Sequence, residues 1–244
     1  MQKFFITGCS QGIGKSLTNL LLQKKNSDIT GISRSNNIRH ERFRHLPLNL
    51  ADIQSLKSRL DDVYSEIDQY DKLVLINNAG YLGEIKYFGE VPDSDLIDIY
   101  NINVIAPAIL MNSFIRKTKS IEAEKVIINI SSGAGRHPYD GWGGYCSSKS
   151  ALDMISMVAD LENEKRKKEY KIFAIAPGPV ETNMQKKLRK TSSDDFSEVI
   201  RFKELSQKGD MPSPDEIAMK LAYFIDNIDQ YEGAIQDIRK IKFT

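Results

Sequence analysis

The chain predicts a single α/β domain: a doubly wound parallel sheet of about seven strands with helices on both faces. Three observations lead there. Short apolar runs alternate with longer amphipathic stretches along all 244 residues. The length suits one large domain or two small ones. No Pro/Gly/Ser-rich linker separates two units, and no internal repeat is visible.

"KFFIT" (3–7) reads as a buried first strand, followed by a helix over 12–23 with Ile13, Leu17, Leu20 and Leu21 at helical spacing. "DITGIS" (28–33) and "RHLPLNL" (44–50) are the second and third strands. Residues 52–70 read as one helix with Leu56, Leu60, Val63 and Ile67 on a stripe, and "KLVLINNAG" (72–80) as a strand ending in a polar turn. Residues 95–117 are largely helical with Pro107 as an interruption, and "EKVIINISS" (124–132) is the fifth strand. A long helix over 147–168 precedes the strand "YKIFAIAPGP" (170–179). "SPDEIAMKLAYFI" opens a helix with Ser213 as N-cap, Pro214 first and Glu216 third. "GAIQDI" (233–238) closes the sheet. Residues 181–211, polar and charged, break the rhythm after a strand's carboxyl end, where open α/β sheets bind ligands. They form a candidate substrate lid.

Composition narrows the function. Lys and Arg number 34 against 33 Asp and Glu, a net charge of +1, which gives no footprint for nucleic acid. The run Lys165–Lys168, flanked by Glu164 and Glu169, reads as a solvated helix end. Cys9 and Cys146 have neither zinc-site nor disulfide spacing, so no metal is expected. The opening residues do not read as a secretory signal, and no apolar run approaches the ~18 residues of a membrane span. The expectation is a cytoplasmic protein with no membrane partner.

"TGCSQGIG" (7–14) joins the first strand to the first helix. Gly8 allows a tight turn, Gly12 lets a pyrophosphate approach the backbone, and Gly14 lets helix and strand pack closely. The helix N-terminus offers unpaired N–H groups to phosphate. Placed after a chain-opening strand and before an amphipathic helix, it points to a Rossmann-type dinucleotide site, although its G-x-x-x-G-x-G spacing differs from G-x-G-x-x-G. No acid stands between Gly31 and Asn37 to hold a ribose 2′-hydroxyl. Arg34, with the hydroxyls of Ser33 and Ser35, suits a 2′-phosphate, so NADP(H) is expected over NAD(H).

With "TGCSQGIG", "NNAG" (77–80), Asn103, "ISS" (130–132) and "YCSSK" (145–149), in that order, the chain resembles the short-chain dehydrogenase/reductase family. Ser132 stands thirteen residues before Tyr145, a common separation in that family. "DGWGGYCSSKSALDM", "APGPVETNMQ" and "EGAIQDI" resemble its sepiapterin reductase and benzil reductase subgroup, which reduces vicinal dicarbonyls and side-chain ketones with NADPH. The resemblance implies a catalytic set of Asn103, Ser132, Tyr145 and Lys149. Tyr145 would donate the proton, and Lys149, one helical turn on, would lower the phenol's pKa and hold the nicotinamide ribose. Ser132 would hold the substrate carbonyl, and Asn103 would support a water linking Lys149 to solvent.

For the cofactor it implies Ser10, Gln11 and Ile13 beside the three glycines, Asn49 and Leu50 near adenine, and Asn78, Ala79 and Gly80 at the end of the fourth strand. Pro177, Gly178, Val180 and Thr182 would shape the nicotinamide pocket. Two positions depart from the common pattern: Gln11 where many NADPH-using relatives carry a basic residue, and Asn49 where many carry Asp. Trp142 and Tyr139, on the loop before Tyr145, suit a flat aromatic substrate. Asp237 matches the aspartate that anchors a pterin amino group in sepiapterin reductases, though relatives that bind no pterin also carry Asp there. A small-molecule carbonyl substrate and a homodimer are implied as well; the helices over 95–117 and 147–168 could form its interface, and Val158 and Leu161 fit either that interface or core packing. The alternative is a non-enzymatic NADPH-binding sensor on the same fold; such proteins usually lack the Tyr/Lys pair present here.

Overall fold

A computed structural model describes residues 1–166 and 169–241. Strands β1 (Gln2–Thr7), β2 (Ser27–Ser33), β3 (Phe43–Pro47), β4 (Lys72–Asn77), β5 (Glu124–Ile130), β6 (Tyr170–Ala176) and β7 (Ile235–Asp237) form one sheet in the order β3-β2-β1-β4-β5-β6-β7. Every neighbouring pair is parallel. Side chains alternate across it with the two-residue period of a strand. Phe4, Ile6, Val74, Ile76, Val126 and Ile128 face one core, and Phe5, Leu73, Leu75 and Ile127 the other.

The first core is covered by α1 (Gly12–Leu22) and, from the far end of the chain, by a helix over Pro214–Asp226. The second is covered by α2 (Ile53–Ser58), α3 (Leu60–Val63), α5 (Ala106–Thr118) and α6 (Gly143–Lys165), while α4 (Asp93–Tyr100) packs against α6. Two short helices, α7 (Asn183–Leu188) and α8 (Val199–Gln207), precede α9, the Pro214–Asp226 helix. The crossovers on either side of β1 run in opposite directions, so a crevice opens at the carboxyl ends of β1 and β4.

Three sequence expectations need correction. The helix expected over 52–70 breaks at Arg59 and ends at Val63, with Glu66 at φ 55°. Tertiary bonds override helix propensity there: the Tyr64 hydroxyl donates to the Leu110 carbonyl at 2.8 Å and the Tyr70 hydroxyl to Asp28 at 2.7 Å. Asp52 still caps the helix, accepting from the Ser55 N–H at 3.0 Å. The interruption near Pro107 is a π turn over Asn101–Ile105, a local widening of a continuous helix directly before Pro107, where a proline can neither donate an N–H nor fit the regular turn. The continuous run Asp93–Thr118 is, by length and composition, apolar enough to cross a membrane, against the sequence expectation. In the fold α5 packs on the sheet through Leu110, Met111 and Phe114. The Ser213/Glu216 capping box is present in full. Lys167 and Lys168, expected at the end of the long helix and of its basic run, lie outside the described residues.

Candidate active site

A cavity of about 650 Å³ occupies the crevice. Most of the residues singled out from the sequence line it: Gly8, Ser10, Gln11, Gly12 and Ile13 from the β1–α1 turn, Arg34 after β2, and Asn49 and Leu50 after β3. Asn78, Ala79 and Gly80 follow from β4, Ser132 from β5, Pro177, Gly178, Val180 and Thr182 from β6, and Trp142, Tyr145 and Lys149 from α6 and its approach.

The end at the glycine turn is built from backbone. Gly8 and Gly12 take φ of +68° and +56°, the left-handed region that favours glycine. A Cβ on Gly14 would stand 2.4 Å from the Gly8 carbonyl oxygen, so this glycine serves close packing and does not itself line the cavity. Thr7 locks the turn to β4: its hydroxyl accepts from the N–H groups of Asn78 and Ala79, both at 2.9 Å, while Asn78 donates back to the Thr7 carbonyl. Asn77 points the other way, bonding Asn129 across the sheet at 2.8 Å. At the start of α1 the N-cap Gln11 makes no side-chain cap bond and the first turn carries no acid. Those N–H groups face the cavity without a side-chain acceptor, a fit to a pyrophosphate. Ser35 does not line the cavity; its carbonyl accepts from the Ser33 hydroxyl at 2.7 Å.

At the other end, α6 begins early enough to put Tyr145 in its first turn and Lys149 one turn on. Both are buried. The Lys149 ammonium donates to the Ile130 carbonyl at 2.8 Å and lies 5.8 Å from the centre of the Tyr145 ring. Burial pulls Lys149 down to about 8, against the field of Asp153 one turn further along. Burial pushes the Tyr145 phenol up to about 12, and its hydrogen bond with Ser132 works the other way. The lowered phenol expected from the sequence is thus not what this arrangement gives, because desolvation outweighs the Ser132 hydrogen bond. Ser132 also caps the short turn that follows β5, its hydroxyl accepting from the Ala134 N–H at 3.1 Å.

Asn103 sits in the π turn, fully buried and behind the cavity wall. Its amide clamps the chain after Gly80: it accepts from the Tyr81 N–H at 2.8 Å and donates to the Tyr81 carbonyl at 2.8 Å and the Ser148 hydroxyl at 3.0 Å. A Cβ on Gly80 would lie 3.7 Å from the Lys149 nitrogen and 3.8 Å from Asn103 Oδ1, so both amide and ammonium converge there.

The end of the cavity beyond Tyr145 is aromatic. Trp142 stacks on Phe196 (4.9 Å, 12°), meets Tyr145 edge-on at 5.7 Å, and touches Tyr139 and Phe202 at 5.1 and 5.8 Å. Residues 181–211 fold over it through α7, α8 and the buried Leu188, Phe196, Val199, Phe202 and Met211. Phe196, Phe202, Met184 and Leu188 went unrecognised in the sequence. The break in rhythm marked their segment, but its two short helices give no phase from which to choose the inward residues.

Asp237 needs correction. It does not line the cavity; its carboxylate is bidentate to Arg239, whose Nε and Nη2 donate at 2.9 and 2.5 Å. That guanidinium holds the carboxyl below its usual range. Arg239, unremarked in the sequence, lines the cavity instead, its stem over Gly178.

A nucleotide-shaped backbone turn, and beyond it a buried Tyr/Lys pair beside a serine, define a dehydrogenase site. The chain belongs to the short chain dehydrogenase family, whose sequence profile matches residues 2–193, and is an oxidoreductase of that nicotinamide-using family. It is 33% identical to a benzil reductase ((S)-benzoin forming) of Bacillus cereus, over 96% of this chain and 98% of that one. It is 32% identical to a sepiapterin reductase of Rattus norvegicus, over 71% of this chain and 66% of the other. In fold it is similar to a short chain dehydrogenase/reductase from Saccharomyces cerevisiae, with TM-score 0.85 and 23% identity, covering 98% and 97% of the two chains.

Proposed function

We propose that the protein is an NADPH-dependent carbonyl reductase acting on compounds with two adjacent carbonyls. The observation that carries this reading is the convergence of Ser132, Tyr145 and Lys149 on one wall of the cavity whose other end is the glycine turn. The benzil reductase likeness, over nearly the whole of both chains, supports the substrate class.

The glycine turn and the free N–H groups of α1 would hold the pyrophosphate, and Arg34 a 2′-phosphate. Asn49 and Leu50 would border the adenine, and Pro177 to Thr182 the nicotinamide. The chemistry a nicotinamide cofactor brings here is hydride transfer. Ser132 and Tyr145 then meet the negative charge that grows on the carbonyl oxygen, and Tyr145 delivers the proton. With its phenol near 12, Tyr145 is fully protonated at neutral pH and ready to donate. Lys149, charged below about 8, steadies the phenolate left behind. Asn103 fixes the backbone at Gly80 and Tyr81, so its part is to shape the wall beside Lys149.

The aromatic end excludes water and suits a flat substrate. Adjacent carbonyls withdraw electron density from each other and so accept hydride readily. Since Asp237 is engaged by Arg239, a general dicarbonyl substrate is favoured over a pterin held through its amino group. We read residues 181–211 as a lid: Asn183 bonds Gln11 at 3.1 Å across the mouth, and Ser197 bonds Asp140 at 2.9 Å beside Trp142. We also read a homodimer in the cytoplasm. Ile97, Tyr100, Ile105, Met154, Met157, Val158 and Leu161 are exposed on α4, the π turn and α6, an apolar face of the kind that marks an interface.

The test is loss of NADPH absorbance with benzil, with sepiapterin and with a simple ketone, using Tyr145→Phe as control. Benzil reduction by the native protein and a loss on the order of 100-fold in the variant are expected. Near-normal turnover by Tyr145→Phe would refute the assignment.

A further inference from the structure

The turn after Ser132 and the helix that carries Lys149 are joined behind the cavity. Gly135 packs so closely on α6 that a Cβ there would stand 2.9 Å from the Lys149 carbonyl carbon. The Ser150 hydroxyl donates to the Gly135 carbonyl at 2.6 Å. The next residue, Arg136, donates through Nε to Asp153 Oδ2 at 3.0 Å. Asp153 is one turn along α6 from Lys149, and its side chain is only 7% exposed. Its other oxygen, Oδ1, has no hydrogen-bond partner among the described residues. A carboxylate so desolvated and half-satisfied is costly unless its charge does something for its surroundings.

We propose that Arg136 and Asp153 are positioning residues for catalysis: Asp153 sustains the charge on the Lys149 ammonium, Arg136 limits that effect, and the pair ties the Ser132 turn to the helix of Tyr145 and Lys149. The catalytic half of this inference rests on the role given to Lys149 above. Asp153 is the charged side chain whose field raises Lys149 against its burial. On its own helix the titratable neighbours of Lys149 are Asp153 and Tyr145. From β5 it meets a carbonyl, that of Ile130, and from the π turn the neutral Asn103. From β7, Asp237 faces Arg136, while itself held by Arg239.

The two halves of the pair make opposite predictions. Asp153→Asn removes the negative charge beside Lys149 while keeping that of Arg136, and should move the alkaline limb of kcat/KM for benzil and NADPH to lower pH, by on the order of half to one unit. Arg136→Gln leaves the Asp153 charge unopposed and should move the limb to higher pH. A mere structural strap would lower the rate in both variants and leave the limb in place. The titration can also be read without turnover, from the Cε resonance of Lys149 in lysine-labelled protein, assigned by its loss in Lys149→Met. Opposite displacements of that midpoint are expected. Displacements of the same sign, or none, overturn the proposal. Asp153→Glu keeps the charge and should titrate like the native protein; a limb displaced as in the amide variant also overturns it, and this variant serves if Asp153→Asn fails to fold. Full turnover by Tyr145→Phe would sink the catalytic assignment alone, because the resonance of Lys149 still decides what the pair does to its charge.

Discussion

The two ends of the cavity are made of different material. The cofactor end is backbone: positive-φ glycines, a threonine hydroxyl bridging two strands, and the open N-terminus of α1. The substrate end is side chain: Trp142 stacked on Phe196, with Tyr139 and Phe202 against it, drawn from the approach to α6 and from the segment over 181–211. Backbone geometry is fixed by the sheet and tolerates little change, since an added Cβ meets main chain. An aromatic cluster can be repacked, because hydrophobic groups of similar volume replace one another at modest cost. One end therefore suits an invariant ligand, and the other suits substrates that differ between relatives.

Mutation can break this contrast if it is wrong. Gly8→Ala places a Cβ 2.9 Å from the Ala79 Cα on a backbone at φ +68°. The strain, about 1–3 kcal/mol, should weaken NADPH binding by up to on the order of 100-fold. Nucleotide-fluorescence titration reads it, and native affinity would show that the turn does not hold the cofactor. Trp142→Ala should do the reverse. It removes the centre of the aromatic cluster, and kcat/KM for benzil should fall by roughly 30-fold, about 2 kcal/mol, with the NADPH dissociation constant nearly unchanged. If affinity for NADPH falls in step, the two ends are not separable.

Smaller effects sharpen the picture within each end. Arg34→Ala removes the cation beside the 2′-position and should lower the preference for NADPH over NADH by about ten-fold, the scale of a charged hydrogen bond. Kinetics with both cofactors measure it; an unchanged ratio would remove Arg34 from recognition. The pH profile gives the least dramatic change. Lys149 is charged below about 8 and neutral above. Reduction should hold level below that pH and be halved at about 8, then fall further as the proton is lost. A profile level to pH 9.5 would show that the lysine's charge plays no part.

The cofactor end was far more legible in the sequence than the substrate end. Glycine spacing, a strand before and a helix after, and Arg34 in place of an acid are local signals, and local signals survive without coordinates. Tyr145 and Lys149 were legible for the same reason, one helical turn apart. Asp237 misled because its neighbour two residues on, Arg239, takes up its carboxylate, and a residue's type at the end of a strand does not say which way it is paired. Phe202 was illegible because α8 is too short to establish a buried face, and Phe196 because it stands in the loop between α7 and α8, where no period applies.

By itself the sequence determined the alternation of strands and helices, the glycine turn and the spacing of Ser132, Tyr145 and Lys149, because these depend on short-range chemistry and on periods of two or 3.6 residues. Only the tertiary structure decided how those groups are tuned. Burial raises Tyr145 and lowers Lys149, and the Arg136–Asp153 pair joins the Ser132 turn to α6. Desolvation and charge pairing depend on what the rest of the fold packs around a group, and residues 17, 52 or 172 positions apart, as in Arg136–Asp153, Asn77–Asn129 and Gln11–Asn183, meet only once the sheet has formed.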